Sequence, residues 1–191
     1  MFRVAIALCA VLALVTSGSG APIPKARPAW DRFFPTEVGT KWVYDTVFDE
    51  VSEEVVESER SGGELRWTVR RVSSLSTSEW SYVASRDGVF ERPAHGEEGE
   101  RRLLRFPLIE GEPWDFEPFT RSEKSGRPTV RATSGKWAEV QTPVGAYTAV
   151  AVSTAATTRW YAPGVGLVMV ENEGGRKQLL KSFNHSKSDT K

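Results

Sequence analysis

Cysteine is almost absent from this sequence of 191 residues, because Cys9 is the only one and lies in an apolar run near the N-terminus. If that run is removed, the remaining chain has no thiol. Such a chain cannot form a disulfide, use a cysteine nucleophile or bind a metal through thiolates. Its fold then depends on its own hydrophobic core, which about 170 residues can build.

Histidine is scarce, and the chain carries no net charge. His95 and His185 are the only histidines and lie far apart in polar segments. Neither has the spaced partner that a metal site needs, so we expect both rings to be solvated and no metal to bind. The 25 basic and 25 acidic side chains cancel. This balance argues against a nucleic-acid surface and against a polybasic membrane contact, and it says nothing about protein partners.

Catalytic and cofactor motifs are also missing. No Gly-x-Ser-x-Gly elbow or phosphate loop occurs, and the Gly-x-Gly at 164–166 lacks the third glycine and the following helix of a dinucleotide site. A serine triad assembled in space would need His95 as its base. We therefore expect no enzyme activity and no cofactor. Four carboxylates near residue 55 are interpreted as a solvated strand face or edge: Glu53, Glu54, Glu57 and Glu59.

The N-terminus has the pattern of an export signal. Arg3 supplies a positive charge, residues 4–15 form an unbroken apolar run, and residues 16–21 are small. The apolar run is too short to span a bilayer by itself. We therefore predict a signal peptide over residues 1–21 and an extended, proline-rich lead-in over residues 22–29. The mature protein would be periplasmic or secreted, and an uncleaved membrane anchor is the alternative.

Long amphipathic helices are lacking, and short strand patterns separated by turn signals take their place. The clearest is a hairpin in which Thr158–Tyr161 leads into Pro163-Gly164 and then into the apolar run 167–170. Proline followed by glycine is typical of the two central positions of a type II turn. The whole pattern predicts an all-β domain over residues 30–183, with few or no helices. We expect a curled antiparallel sheet forming a barrel or half-barrel, or else a sandwich, followed by a mobile tail over residues 184–191.

Four segments together resemble a group of exported bacterial β-sheet proteins of unknown function. They span residues 34–44, 103–114, 140–150 and 160–168, and the last, Trp-Tyr-Ala-Pro-Gly-Val-Gly-Leu-Val, is the most specific. The group is broadly similar in shape to periplasmic lipoprotein carriers. The resemblance implies export and a curved antiparallel sheet, and it brings no catalytic residue. Many members of that group carry a lipid-attachment cysteine, whereas Leu8 before Cys9 does not suit such a site.

Aromatic side chains are abundant, since the sequence has seven Trp. One hypothesis is that the curled sheet binds or carries an apolar small molecule or lipid in an aromatic-lined pocket. A second is a structural or protein-interaction domain of the cell envelope whose aromatic residues form a closed core. A third is polysaccharide binding through exposed Trp. The predicted pocket lining consists of Trp42, Tyr44, Trp67, Trp80 and Trp160.

The export signal generates the first testable prediction. We expect the mature chain to begin near Pro22, because Ser19 and Ala21 fit the small-residue positions of a cleavage site. Intact-mass measurement of the exported protein should show the loss of about 21 residues. A full-length chain held in the membrane would contradict the prediction and support the anchor.

Overall fold

The computed structural model describes residues 33–93, 99–116 and 130–186. These residues form twelve β-strands and no helix, so none of them builds a helix long and apolar enough to cross a membrane. The strands are β1 (Lys41–Asp45), β2 (Glu50–Ser61), β3 (Glu64–Val72), β4 (Thr77–Ser85), β5 (Gly88–Pro93), β6 (Arg101–Arg105), β7 (Pro113–Phe116), β8 (Val130–Thr142), β9 (Gly145–Ser153), β10 (Thr157–Ala162), β11 (Gly166–Asn172) and β12 (Lys177–Asn184).

The strands form one sheet in the order β6-β5-β4-β3-β2-β1-β12-β11-β10-β9-β8-β7. Each half of the chain is thus an antiparallel meander of six strands, and the pairing of β1 with β12 joins the halves. Lys41 lies opposite Asn184 in this pairing, and Asp45 lies opposite Leu179. The sheet curls into a nearly closed barrel, which confirms the predicted fold class of a curled, all-β antiparallel sheet with few or no helices.

The barrel closes between β6 and β7, the two outer strands, through side chains. Trp114 Nε1 of β7 donates to the Arg102 carbonyl of β6 over 3.1 Å. In the opposite direction, Arg105 Nη1 donates to the Pro113 carbonyl over 3.1 Å, and Arg105 also pairs with Glu112 at 2.9 Å. These bonds occupy edge groups that a neighbouring strand would otherwise pair with.

The two ends of the barrel differ. We call the end with the turns 46–49, 154–156 and 173–176 the upper end, where the Glu173 amide donates to the Ala156 carbonyl over 3.0 Å. The lower end carries the turn 163–165 and the segment 33–40. Phe34 of that segment packs between Trp67 and Tyr161, with ring centroids 5.6 and 5.8 Å away. The lower end is therefore plugged by aromatic rings.

The predicted hairpin turn at Pro163-Gly164 is present. The Val165 amide donates to the Ala162 carbonyl over 3.2 Å, which closes a four-residue turn. Gly164 has φ of +76°, the value that the second central residue of a type II turn requires. The turn lets β10 pair with β11, and the register of this pairing is irregular between Trp160 and Tyr161.

The last strand, β12, runs to Asn184, one residue beyond the predicted end of the domain at residue 183. The predicted signal peptide (1–21) and lead-in (22–29) lie outside the described residues, as does the tail from 187 onward. Of the predicted tail, residues 184–186 are described. There His185 Nε2 lies 2.9 Å from a Glu37 carboxylate oxygen, and the Ser186 amide donates to Thr40 Oγ1 over 3.4 Å.

Gly164 supplies a stability prediction. A valine at this position would keep a β-branched side chain at positive φ, so Gly164→Val should destabilise the fold by about 1–3 kcal/mol. Steric crowding does not contribute, because a Cβ at Gly164 would meet nothing within 4 Å. Urea unfolding of the wild type and the variant measures the effect.

Gly174→Val is the matched control, because Gly174 lies in another turn without a positive φ and its nearest non-neighbouring atom would be 3.5 Å from the new Cβ. We expect this control to unfold within about 0.5 kcal/mol of the wild type. Equal losses in the two variants would mean that positive φ is not the cause.

Candidate functional site

The barrel interior contains a cavity of about 240 Å3. Its lower part lies against the plug, and at its upper end Val51, Val170 and Gln178 are partly exposed. Both six-stranded halves contribute lining residues. The lining consists of Phe34, Trp42, Tyr44, Val51, Glu53, Trp67, Val69, Arg71, Tyr82, Glu91, Arg101, Leu103, Arg159, Tyr161, Leu167, Val170 and Gln178.

Aromatic side chains form one part of this lining and are held in place by hydrogen bonds and stacking. Trp42 Nε1 donates to the Val165 carbonyl over 2.7 Å. Tyr44 Oη donates to the Leu167 carbonyl over 3.1 Å. Both bonds cross from the N-terminal strand to the C-terminal half of the barrel, so they satisfy buried polar groups and fix the rings.

A stacked pair extends the aromatic surface across the neighbouring strands. Trp67 and Tyr82 lie directly opposite each other on β3 and β4. Their ring centroids are 5.2 Å apart and their planes differ by 13°. Aromatic pairs of this kind contribute stability beyond the area they bury. Because both rings are anchored, this wall of the cavity does not depend on a ligand to order it.

Charged side chains form the other part of the lining. Arg71 on β3 pairs with Glu53 on β2, with Nε 2.7 Å and Nη2 2.6 Å from the same carboxylate oxygen. Arg101 on β6 pairs with Glu91 on β5, with Nε 2.9 Å from the carboxylate. Both glutamates are less than 10% exposed. Pairing and hydrogen bonding are what allow these charges to be buried.

The tyrosines of the cavity stay protonated near neutral pH. Burial raises the pKa of Tyr161 to about 12. Burial, together with the charge of Glu53, raises the pKa of Tyr44 well above its usual value. Burial and the adjacent Glu91 carboxylate do the same to the pKa of Tyr82, whose hydroxyl donates to that carboxylate over 3.0 Å. The tyrosines therefore offer neutral hydroxyl groups and add no negative charge.

The pKa of Arg71 reflects two opposing effects. Burial alone would lower it, and the Glu53 carboxylate, with Tyr82 and Glu91 nearby, raises it above its ordinary value. The guanidinium therefore stays charged throughout the range in which the protein folds. Since both carboxylates of the cavity are engaged by arginines, neither is placed as an unpaired acid or base.

Arg159 differs from the other two cavity arginines. Its Nη1 donates to Thr157 Oγ1 over 2.9 Å. Its guanidinium also lies over the Phe116 ring, 5.4 Å from the centroid, and Arg101 lies at 5.2 Å from that same ring. Among the described residues, no carboxylate forms an ion pair with Arg159.

The five predicted lining residues are not all in the cavity. Trp42, Tyr44 and Trp67 line it. Trp80 lies opposite the buried Val69, where its Nε1 donates to Ser78 Oγ over 3.1 Å and Arg71 covers its ring at 5.3 Å. It is half-buried and is not among the residues lining the cavity.

Trp160 is not among the residues that line the cavity, although it is partly buried. It stands between Arg159 and Tyr161, which both line the cavity. Successive side chains of a strand point to opposite faces, so Trp160 lies on the outer face. It is directly opposite Ala151 on β9 and Met169 on β11. The aromatic residue of β10 that faces the cavity is Tyr161.

The interpretation of Glu53 as a solvated carboxylate is also wrong, because it is buried against Arg71. The remaining charged lining residues were not anticipated either. The sequence did contain a signal for Glu53 and Arg71. Glu53 is two residues from the buried Val55 on β2, and Arg71 is two residues from the buried Val69 on β3, so each shares a face with a buried residue. Within the described parts of the chain, no three His, Cys, Asp or Glu side chains are grouped in a way that could hold a metal ion.

Comparison with known proteins identifies similar folds and assigns no activity. No protein-family model matches the sequence, and no curated protein matches it. One similar solved structure is a Bacteroides fragilis protein, thought to be exported, with a YmcC-like fold. It has a TM-score of 0.53 and 12% identity, over 80% of this chain and 99% of that one.

A second similar solved structure is a protein of Parabacteroides distasonis thought to be a lipoprotein. Its TM-score is 0.51 at 15% identity, again over 80% of this chain and 99% of that one. At these identities the likeness shows the fold alone. The shared architecture agrees, at the level of the β-sheet, with the resemblance to exported bacterial proteins of unknown function.

Proposed function

We propose that the protein is an exported, non-enzymatic binding protein that holds an apolar small molecule, or the apolar part of a lipid, inside its barrel. The observation that carries this proposal is the cavity of about 240 Å3 between anchored aromatic rings. A barrel that served only as a scaffold would be expected to fill its interior with side chains, because protein cores are close-packed.

The size of the cavity restricts the ligand. Sites for drug-sized molecules have volumes of about 300–1,000 Å3, so this cavity suits a smaller molecule or one chain of a larger one. Trp42, Trp67 and Tyr161 supply a surface on which such a chain can be buried. Burial of apolar surface contributes about 25 cal/mol per Å2, so a single chain is enough for measurable binding.

The absence of catalysis is part of the proposal. The cavity glutamates, Glu53 and Glu91, are each held by an arginine, and the cavity tyrosines remain protonated. A site that binds without reacting needs no more than this. The export signal over residues 1–21 supports a location outside the cytoplasm, and so does the fold shared with proteins thought to be exported.

The polysaccharide alternative has less support. Stacking on sugars needs exposed rings, and of the tryptophans that the structure describes, only Trp137 is exposed, at 49%. The structural alternative, a closed envelope domain, makes a different prediction, namely that no ligand enters the barrel. Ligand uptake therefore separates it from the proposed function.

A cavity-filling substitution tests the proposal. Val51 lines the upper part of the cavity and is partly exposed, so Val51→Trp should fill space without overpacking a closed core. We expect the wild type to bind N-phenylnaphthylamine, a neutral apolar probe that fluoresces on burial, and the variant to bind it at least about fivefold more weakly.

Val72→Trp is the matched control, because Val72 is 40% exposed at the end of β3 and does not line the cavity. It should bind the probe like the wild type. Thermal melts establish that all three proteins are folded. No binding by folded wild type would overturn the proposed function in favour of the closed structural domain.

A further inference from the structure

We infer that the ligand has a negatively charged head group and that Arg159 binds it. This inference rests on the proposed function, because it names the chemical class of molecule that the same cavity takes. The class is an amphipathic anion: a single apolar chain or ring system that ends in a carboxylate or a phosphate.

Among the residues that the structure describes, the charges that line the cavity do not balance. Three arginines and two glutamates belong to this described lining, which therefore has one more positive than negative charge. The tyrosines do not make up the difference, because burial raises the pKa values of Tyr44, Tyr82 and Tyr161. An anion in the cavity would neutralise the excess charge, whereas a cation would add to it.

The excess positive charge of the described lining is that of Arg159. The guanidiniums of Arg71 and Arg101 each have a buried glutamate as partner. A guanidinium has five N–H donors, and the hydrogen bond from Arg159 to Thr157 uses one of them. The face of the group is covered by Phe116. Its remaining N–H groups are therefore the donors with which the cavity can bind a carboxylate or phosphate in a bidentate manner.

The charged and apolar parts of the cavity occupy different depths. Along β10, Arg159 is nearer the upper end and Tyr161 is nearer the lower end. The same order holds on β3, where Arg71 is above Trp67, and on β6, where Arg101 is above Leu103. The deep part is thus aromatic, and the part nearer solvent contains the charged groups together with Val51, Val170 and Gln178.

This gradient matches a molecule with one apolar and one anionic end. Its chain would lie against Trp42, Trp67 and Tyr161, and its head would meet Arg159 while remaining partly hydrated. A neutral apolar molecule would leave the guanidinium without an anion. A zwitterion or cation would bring positive charge close to all three arginines.

The test compares ligands that share one chain and differ in the head group. Decanoate, decyl phosphate, decanol and decyltrimethylammonium would each displace N-phenylnaphthylamine from the wild-type protein at physiological salt. We expect decanoate or decyl phosphate to bind at least about tenfold more tightly than decanol, because a hydrogen-bonded charge pair in a partly buried site has that effect. The cation should bind most weakly. The order of the two anions tells whether the head is a carboxylate or a phosphate.

Two substitutions assign the preference to Arg159. Arg159→Leu should abolish the preference for anions and leave decanol binding within about twofold of wild type, because it keeps the apolar stem and removes the donors. Arg159→Lys should keep part of the preference. Arg66→Leu is the control: Arg66 is an exposed arginine paired with Glu64 and does not line the cavity, so its variant should behave like the wild type.

The outcomes separate this inference from the proposed function. If decanol binds wild type as tightly as both anions do, the inference is overturned and the proposed function stands. If no decyl compound displaces the probe and the probe itself does not bind, the proposed function falls and the inference falls with it. A preference for anions that survives in Arg159→Leu would show that Arg159 is not the anion-binding group. The head-group comparison uses the wild type alone, so it tests the preference for an anionic head group even if a variant fails to fold.

Discussion

The pairing of β1 with β12 is the interaction on which the rest of the structure depends. Without it the chain would be two separate six-stranded meanders, β1–β6 and β7–β12. The pairing is reinforced from inside the barrel, because Trp42 and Tyr44 of β1 donate to carbonyl groups of Val165 and Leu167. These partners are 123 residues apart in the sequence. The cavity exists because the two halves meet in this way, since each half contributes part of its wall.

The interior of the barrel is costly in terms of stability. Buried ion pairs such as Arg71–Glu53 recover little more than the hydration that they lose, and apolar side chains of similar size would often stabilise a fold as well or better. Unfilled space also costs packing energy. The buried ion pairs and the unfilled space belong to the same cavity, which Arg159 also lines. Costly features that coincide are expected at sites that bind a ligand.

The proposed ligand would therefore meet two different environments along the barrel axis. The lower end is closed by Phe34, which packs against Trp67 and Tyr161, and it supplies apolar surface. The upper part supplies charges that are fixed by pairing across neighbouring strands. The walls of both parts are held by hydrogen bonds within the protein itself.

The sequence by itself determined the turn at Pro163-Gly164 and the all-β class, because these depend on local periodicity and local backbone geometry. It also determined that Trp42 and Tyr44 share a face with each other, since strand side chains alternate. Alternation does not say which face is inside when both faces carry large side chains. On β10, either Trp160 or the pair Arg159 and Tyr161 could face the interior of the barrel. Only the pairing of β10 with β9 and β11 in the folded sheet decided which of them does.

The charged lining is the clearest case of what only the tertiary structure decided. In the sequence, Glu53 is one carboxylate in a run of acidic residues, and its partner Arg71 is 18 residues away. A buried charge is tolerable only beside its opposite charge, and that proximity comes from the register of β2 against β3, where Glu53 lies opposite Arg71. The same holds for Arg101 and Glu91 across β5 and β6. A local sequence pattern shows which residues are polar. Whether a charged residue is buried depends on the oppositely charged partner that the folded sheet places beside it.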